Sequence, residues 1–277
     1  LAPGLGVQTV GVHQLIPHEA QGSATPQHQA APPAATVTLG RPAERPSTLD
    51  LALGAGAGFL RTYDLSSTEG TSPLGYTLDP VSLIELQAAL RIPRTGLVLG
   101  GRGALRLVGY QLVDANGLDA QPRGQLIDVD ATLGWVFGSE VLSLTPRVGF
   151  RYAFGRADDH AGPVILDTAA TAGTAGLVGT AFVSSSVEVR AGVDGGLVFG
   201  FDETPATSGT LSSGTVIAAH LSFRIWVARS VGVAVDGRFM QEELSFSGLA
   251  TRVGGPLTDA RLTRRDLTGS MGLATRF

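Results

Sequence analysis

From residue 47 onward, apolar residues alternate with small, polar or charged ones at a period of two. Leu49, Leu51, Leu53, Ala55, Ala57 and Phe59 oppose Asp50, Ala52, Gly54, Gly56 and Gly58. Successive side chains point to opposite faces of a strand, so this pattern describes a strand with one apolar face. It recurs in Ile127-to-Phe137, Leu142-to-Phe154, Val187-to-Phe199, Ile217-to-Ile225 and Val231-to-Phe239. The spacing predicts ten strands, over 47–63, 81–92, 96–112, 124–137, 141–154, 174–184, 186–201, 214–228, 230–246 and 261–277. Most are longer than the ~5–6 residues usual in globular strands. The second segment is ambiguous. Asp79-Pro80 suits a helix start, with Leu83, Leu86 and Leu90 on one face. Strand alternation also fits, with Ile84, Leu86, Ala88, Leu90 and Ile92 against Glu85, Gln87 and Arg91.

The connections alternate in length. Turns near 93–95, 138–140, 184–186 and 228–230 are tight, whereas 64–80, 113–123, 155–173, 202–213 and 247–260 are long. A soluble sandwich has no reason for strict alternation, but an up-and-down transmembrane barrel has short turns at one end and long loops at the other. The charges follow the strand faces. Arg91, Arg102, Arg106, Arg147, Arg151, Arg190, Arg224 and Arg238 share the polar faces with Asp50, Glu85, Asp128, Asp130, Glu188, Asp194, Asp236 and Asp266. A lipid-facing surface excludes mid-strand charge at ~2–4 kcal/mol per Arg at the midplane, so these sixteen residues are predicted to form a charge network in the lumen.

Aromatic residues fall at strand ends. Phe59, Tyr63, Tyr152, Phe154, Phe199, Phe201 and Phe239 lie toward the long loops; Trp135, Phe137, Phe223 and Phe277 lie toward the turns. Two such bands read as interfacial girdles. The last strand ends in Met271-Gly272-Leu273-Ala274-Thr275-Arg276-Phe277. A terminal Phe preceded by Met271 and Leu273 at alternate positions resembles the C-terminal assembly signal of bacterial outer-membrane β-barrels; Thr275 is a weaker member than usual. The resemblance covers 47–277. It implies an all-β, up-and-down antiparallel barrel inserted by the barrel assembly machinery into outer-membrane lipid. The long loops would then be extracellular and both termini periplasmic.

Composition adds an arm. Residues 1–46 contain 7 of the 15 prolines and the run Gln29-Ala30-Ala31-Pro32-Pro33-Ala34-Ala35. Too few large apolar groups are present to offset ordering entropy, which predicts a flexible periplasmic arm, either a tail or a partner-docking segment. No run of apolar residues is long enough for a spanning helix. Leu1-Ala2-Pro3-Gly4 shows no signal-peptide pattern, so any signal peptide lies outside this sequence. All 20 basic residues are Arg, and the net charge of −4 comes without a basic stripe, which argues against nucleic-acid binding. With no Cys, thiol catalysis and disulfides are excluded. His13 and His18 are too poorly spaced to suggest a metal site, and no cofactor is implied.

A ten-strand barrel is narrow, since wide aqueous channels need about 16 strands. Eight Arg and eight carboxylates inside it suit a paired, closed lumen. The expected function is therefore a structural anchor or interaction component of a multi-protein envelope complex, of the kind found in gliding-motility or secretion machinery. The alternative is a narrow channel for ions or small solutes. The strand count also resembles that of omptin-type surface proteases. The acidic-histidine run Asp158-Asp159-His160 lies in a long loop, but no second acidic pair at a strand top matches it, so a non-enzyme is expected.

Overall fold

The computed structural model describes residues 49–66, 74–78, 81–112, 123–139, 141–158, 165–251 and 257–277. The arm, 1–46, lies outside them, as do Asp159 and His160. The described residues form no helix. Ten long strands are present: β1 Leu49–Ser66, β2 Val81–Arg91, β3 Leu97–Leu112, β4 Arg123–Trp135, β5 Leu142–Ala157, β6 Asp167–Phe182, β7 Val187–Thr204, β8 Thr210–Trp226, β9 Val231–Ser247 and β10 Arg261–Arg276. Each pairs antiparallel with its sequence neighbour, and β10 pairs with β1 from Asp50↔Arg276 to Ser66↔Arg261, closing the sheet into a barrel. The short strand Leu74–Leu78 extends the β2 position between β1 and β3.

The ambiguous segment is a strand. β2 pairs from Leu90↔Leu49 to Val81↔Gly58 on one side and along β3 on the other, so the ladder takes its backbone groups. β6 starts at Asp167, seven residues before the prediction. Its Ala, Thr and Gly content blurs the alternation there without weakening the pairing. Two expected long loops are also shorter: β5 runs to Ala157, and only 205–209 separate β7 from β8. At the turn end, Gly96 takes a φ of +75°, a conformation glycine adopts without a Cβ clash. Ser184 Oγ accepts from the Val187 amide to close the β6–β7 turn.

Alternation is realised as two faces. Leu53, Leu86, Val129, Val148, Val193, Leu221, Val235 and Leu273 project outward and are exposed around the barrel. Such a continuous apolar surface in water would be a severe liability; against hydrocarbon it is the matching solvent. Trp135, Phe137, Phe223 and Phe277 border this belt near the turns, and Phe59, Tyr152, Phe199 and Phe239 border it near the loops. Two predicted girdle members do not belong to it. A register shift between Gly58 and Leu60 reverses the faces of β1, so Tyr63 is buried inside at 3% exposure. A second shift opposite Thr171/Ala172 turns Phe201 inward, where it packs on Phe246 at 5.4 Å. Bulges of this kind re-aim side chains while keeping the ladder.

Beyond the belt the polarity of the two faces inverts. On β9, Val231, Val235 and Phe239 point outward, whereas Met240, Leu244 and Phe246 point inward and are buried. On β10, Leu262 is buried inside while Arg261 on the outer face donates to Glu243 at 2.7 Å. That hydrogen bond holds the exposed Glu243 carboxyl below its ordinary value. These strands therefore continue past the membrane into water, and the loop end of the barrel has a soluble-type core. Tyr63, Leu65, Leu126, Val198, Leu244, Phe246 and Leu262 belong to it, with Ile165 packed in from the loop before β6.

Candidate functional site

Beneath the apolar core, charged side chains bond both between neighbouring strands and across the lumen. Arg106 of β3 donates to Asp128 of β4 at 2.5 Å and also reaches Asp266 of β10. Arg151 of β5 donates to Asp128 at 2.9 Å and lies 3.5 Å from Glu242 of β9. Arg238 of β9 donates to Asp130 of β4 at 2.6 Å, linking strands on opposite sides of the ring. Arg102 completes the layer with two hydrogen bonds to Glu85, at 2.8 and 3.1 Å, and one to Asp130 at 3.3 Å. Arg106, Asp128, Arg151 and Glu242 are all buried. Inward positions that interlock in this way fill the layer with charge, and each of these arginines lies within ion-pair distance of at least one carboxylate.

Nearer the turns the lumen opens. A cavity of about 350 Å³ is bounded by strand ends and turns, including Arg91, Val136, Ser139, Ser185 and Arg276. Arg147 of β5 pairs with Asp194 of β7, and His220 Nδ1 lies 4.0 Å from Asp194. Arg190 of β7 pairs with Glu188 and donates across the lumen to Asp50 of β1 at 2.9 Å. Trp226 turns inward, donating its indole N–H to Glu188 at 3.2 Å while the Arg276 guanidinium stacks on its ring at 4.1 Å. Glycine makes this wall possible at one point: a Cβ on Gly192 would collide with the His220 imidazole.

Every residue of the predicted network faces the lumen, but at two levels. Glu85, Arg102, Arg106, Asp128, Asp130, Arg151, Arg238 and Asp266 belong to the ion-paired layer. Asp50, Arg91, Arg147, Glu188, Arg190, Asp194, Arg224 and Asp236 line the cavity. Sequence reasoning missed Arg61, Glu242 and Arg264. The β1 bulge turns Arg61 toward Asp266, 3.6 Å away, and Arg264 pairs with Glu242. Glu242 and Arg264 sit where the apolar phase inverts, and that inversion was the signal that could have found them. Met271, Leu273 and Phe277 all project outward into the belt. Phe277 exchanges backbone hydrogen bonds with Leu49, so the chain terminus closes the barrel seam. Asp158 donates its amide to the Arg123 carbonyl, extending the β4–β5 ladder by one bond.

No family model matches this chain, and no curated protein does. Solved structures do. The outer membrane protease OmpT from Escherichia coli superposes with a TM-score of 0.51 at 10% identity, covering 83% of this chain and 96% of that one. The chain has the fold of a bacterial outer-membrane β-barrel. The transport unit of the autotransporter AIDA-I from Escherichia coli (TM-score 0.42, 11% identity, 87% and 94% covered) is also similar. So is the outer membrane protein OprG from Pseudomonas aeruginosa (0.38, 12%, 83% and 97%). At these identities the likeness concerns the fold. With the lipid-type belt, that fold is a membrane-spanning barrel; the lumen, not the neighbours, must indicate its role.

Proposed function

We propose that this barrel does not conduct, and that it serves as a membrane anchor or interaction component of a multi-protein envelope assembly. The observation carrying this reading is the double closure of the lumen. Arg238–Asp130 and Arg106–Asp266 tie opposite or distant strands together, and the apolar core containing Leu244 and Leu262, both at 0% exposure, lies above them. A hydrated ion would have to strip water to pass the core and break buried pairs to pass the layer. A spanning barrel whose described lumen is filled at one end is suited to holding something in place. In this reading the long loops face the exterior, both termini face the periplasm, and partners dock on the Pro/Ala-rich arm, the turns or the loops. Met271, Leu273 and Phe277 are read by the assembly machinery, no catalysis is involved, and a gliding-motility or secretion apparatus is the kind of assembly meant.

The test is cross-linking in intact outer membranes, followed by detergent extraction and purification, with the full chain and with residues 1–46 deleted. A reproducible set of envelope proteins that co-purifies with the full chain is expected. Recovery of the full chain alone, unlinked to any partner, would contradict the anchor role.

A further inference from the structure

The turn-side cavity is larger than side-chain packing requires, and its volume falls at the lower end of ligand-sized pockets. Its floor is the ion layer, where Glu85, Arg102, Asp130, Arg151 and Arg238 also border it, and Arg151 is matched there by Asp128 and Glu242. Most of the cavity's arginines are matched: Arg102, Arg147, Arg190 and Arg238 each donate to a carboxylate. Arg224 is different. Its side chain is 4% exposed, its Nη1 is 3.8 Å from the nearest Asp50 oxygen, and neither Nε nor Nη1 makes a hydrogen bond. Ser222, the preceding inward position on β8, also has a buried Oγ without a hydrogen-bond partner. Buried donors left unmade are costly, and these two lie on adjacent inward positions of one strand, on the same wall of the cavity.

We propose that the cavity is a binding site for a small soluble oxyanion, a carboxylate or phosphate, held by Arg224 and Ser222. The Arg224 guanidinium supplies the matching charge, and a guanidinium recognises carboxylate and phosphate by the same planar fork. The ligand enters from the turn end, because the ion layer and the apolar core close the other. The hydrogen-bonded wall is continuous around the ring, so a lipid cannot slide in from the side, and the occupant is a solute. This site is independent of the anchoring role: a barrel without partners can still bind, and a barrel with partners can be empty.

The experiment is calorimetric titration of the full chain, folded in detergent micelles, with inorganic phosphate and separately with succinate, at an ionic strength held constant with sodium chloride. Saturable binding of at least one of them is expected, and the one that binds assigns the class. Arg224→Met should weaken it about tenfold or more, the worth of a charge-assisted hydrogen bond. Ser222→Ala should weaken it less and leave the folded gel mobility unchanged, which keeps the test decisive if the arginine variant fails to fold. Arg265→Gln, on the outer face, should bind as the parent does. No saturable binding of either anion, or equal affinity in the parent and the folded β8 variants, would overturn the proposal.

Discussion

Replacing Asp128 by Asn removes the charge around which the ion-paired layer is built. Its carboxylate accepts from Arg106 at 2.5 Å and from Arg151 at 2.9 Å, and the residue is 4% exposed. The amide keeps the shape and one acceptor oxygen but leaves two guanidinium groups short of a counter-charge. Arg106 retains Asp266, while Arg151 retains only Glu242 at 3.5 Å and Asp130 at 3.8 Å. Stranding part of a buried charge cluster costs ~3–5 kcal/mol, and the remaining partners place this variant near the lower value, about 3 kcal/mol. The double variant Asp128→Asn/Arg151→Met removes one orphan together with its partner and should recover part of the loss. The assay is urea unfolding of both variants in lipid vesicles, followed by Trp fluorescence and heat-modifiable gel mobility. A loss below about 1 kcal/mol for Asp128→Asn, the value of a solvent-exposed pair, would show that water fills this level and that the layer does not seal.

Leu221→Arg places a charge on the lipid face and should cost about 2–4 kcal/mol if it lies near the midplane, whereas Thr145→Arg on the cavity wall should insert nearly as the parent does; equal damage in vesicle insertion assays would contradict the assignment of faces. Deleting Phe277 removes the backbone pairing with Leu49 and an outward aromatic at 68% exposure, so the chain should be secreted yet fail to insert, as read by protease accessibility in cells. Normal insertion of that variant would contradict its role in assembly.

The fold was legible because lipid imposes a strict rule on every spanning residue: Leu267, Met271 and Leu273 could not be polar, and Asp266, Ser270 and Gly272 were free to be. The same rule makes β4, β5 and β9 readable almost residue by residue. It fails where the rule lapses. At Gly58/Leu60 and opposite Thr171/Ala172 an inserted residue shifts the phase, and nothing in the local composition announces it, so Tyr63 and Phe201 were placed on the wrong face. In β6 the outward Ala169 and Thr171 hardly differ in polarity from the inward Thr168, Ala170 and Ala172, which obscured its first residues. Past the belt the outer face meets water, and Leu244, Phe246 and Leu262 go inside. There apolar residues mean core rather than lipid, and a reading tuned to one meaning missed both the apolar closure and the Glu242–Arg264 pair. The charged lumen itself was visible as a composition of faces, whereas its division into an ion-paired layer and an open cavity depends on which strands face each other across the ring.

The central claim, that the lumen is closed at its loop end, is tested most directly by single-channel recording of the purified full chain in planar bilayers. The parent is predicted to show no steady conductance at moderate voltage. Trimming the apolar core and loosening the layer together, as Leu244→Ala/Leu262→Ala/Arg106→Ala, is predicted to produce one in protein that still shows folded gel mobility. A steady open conductance in the parent, unchanged by those substitutions, would contradict the closed lumen.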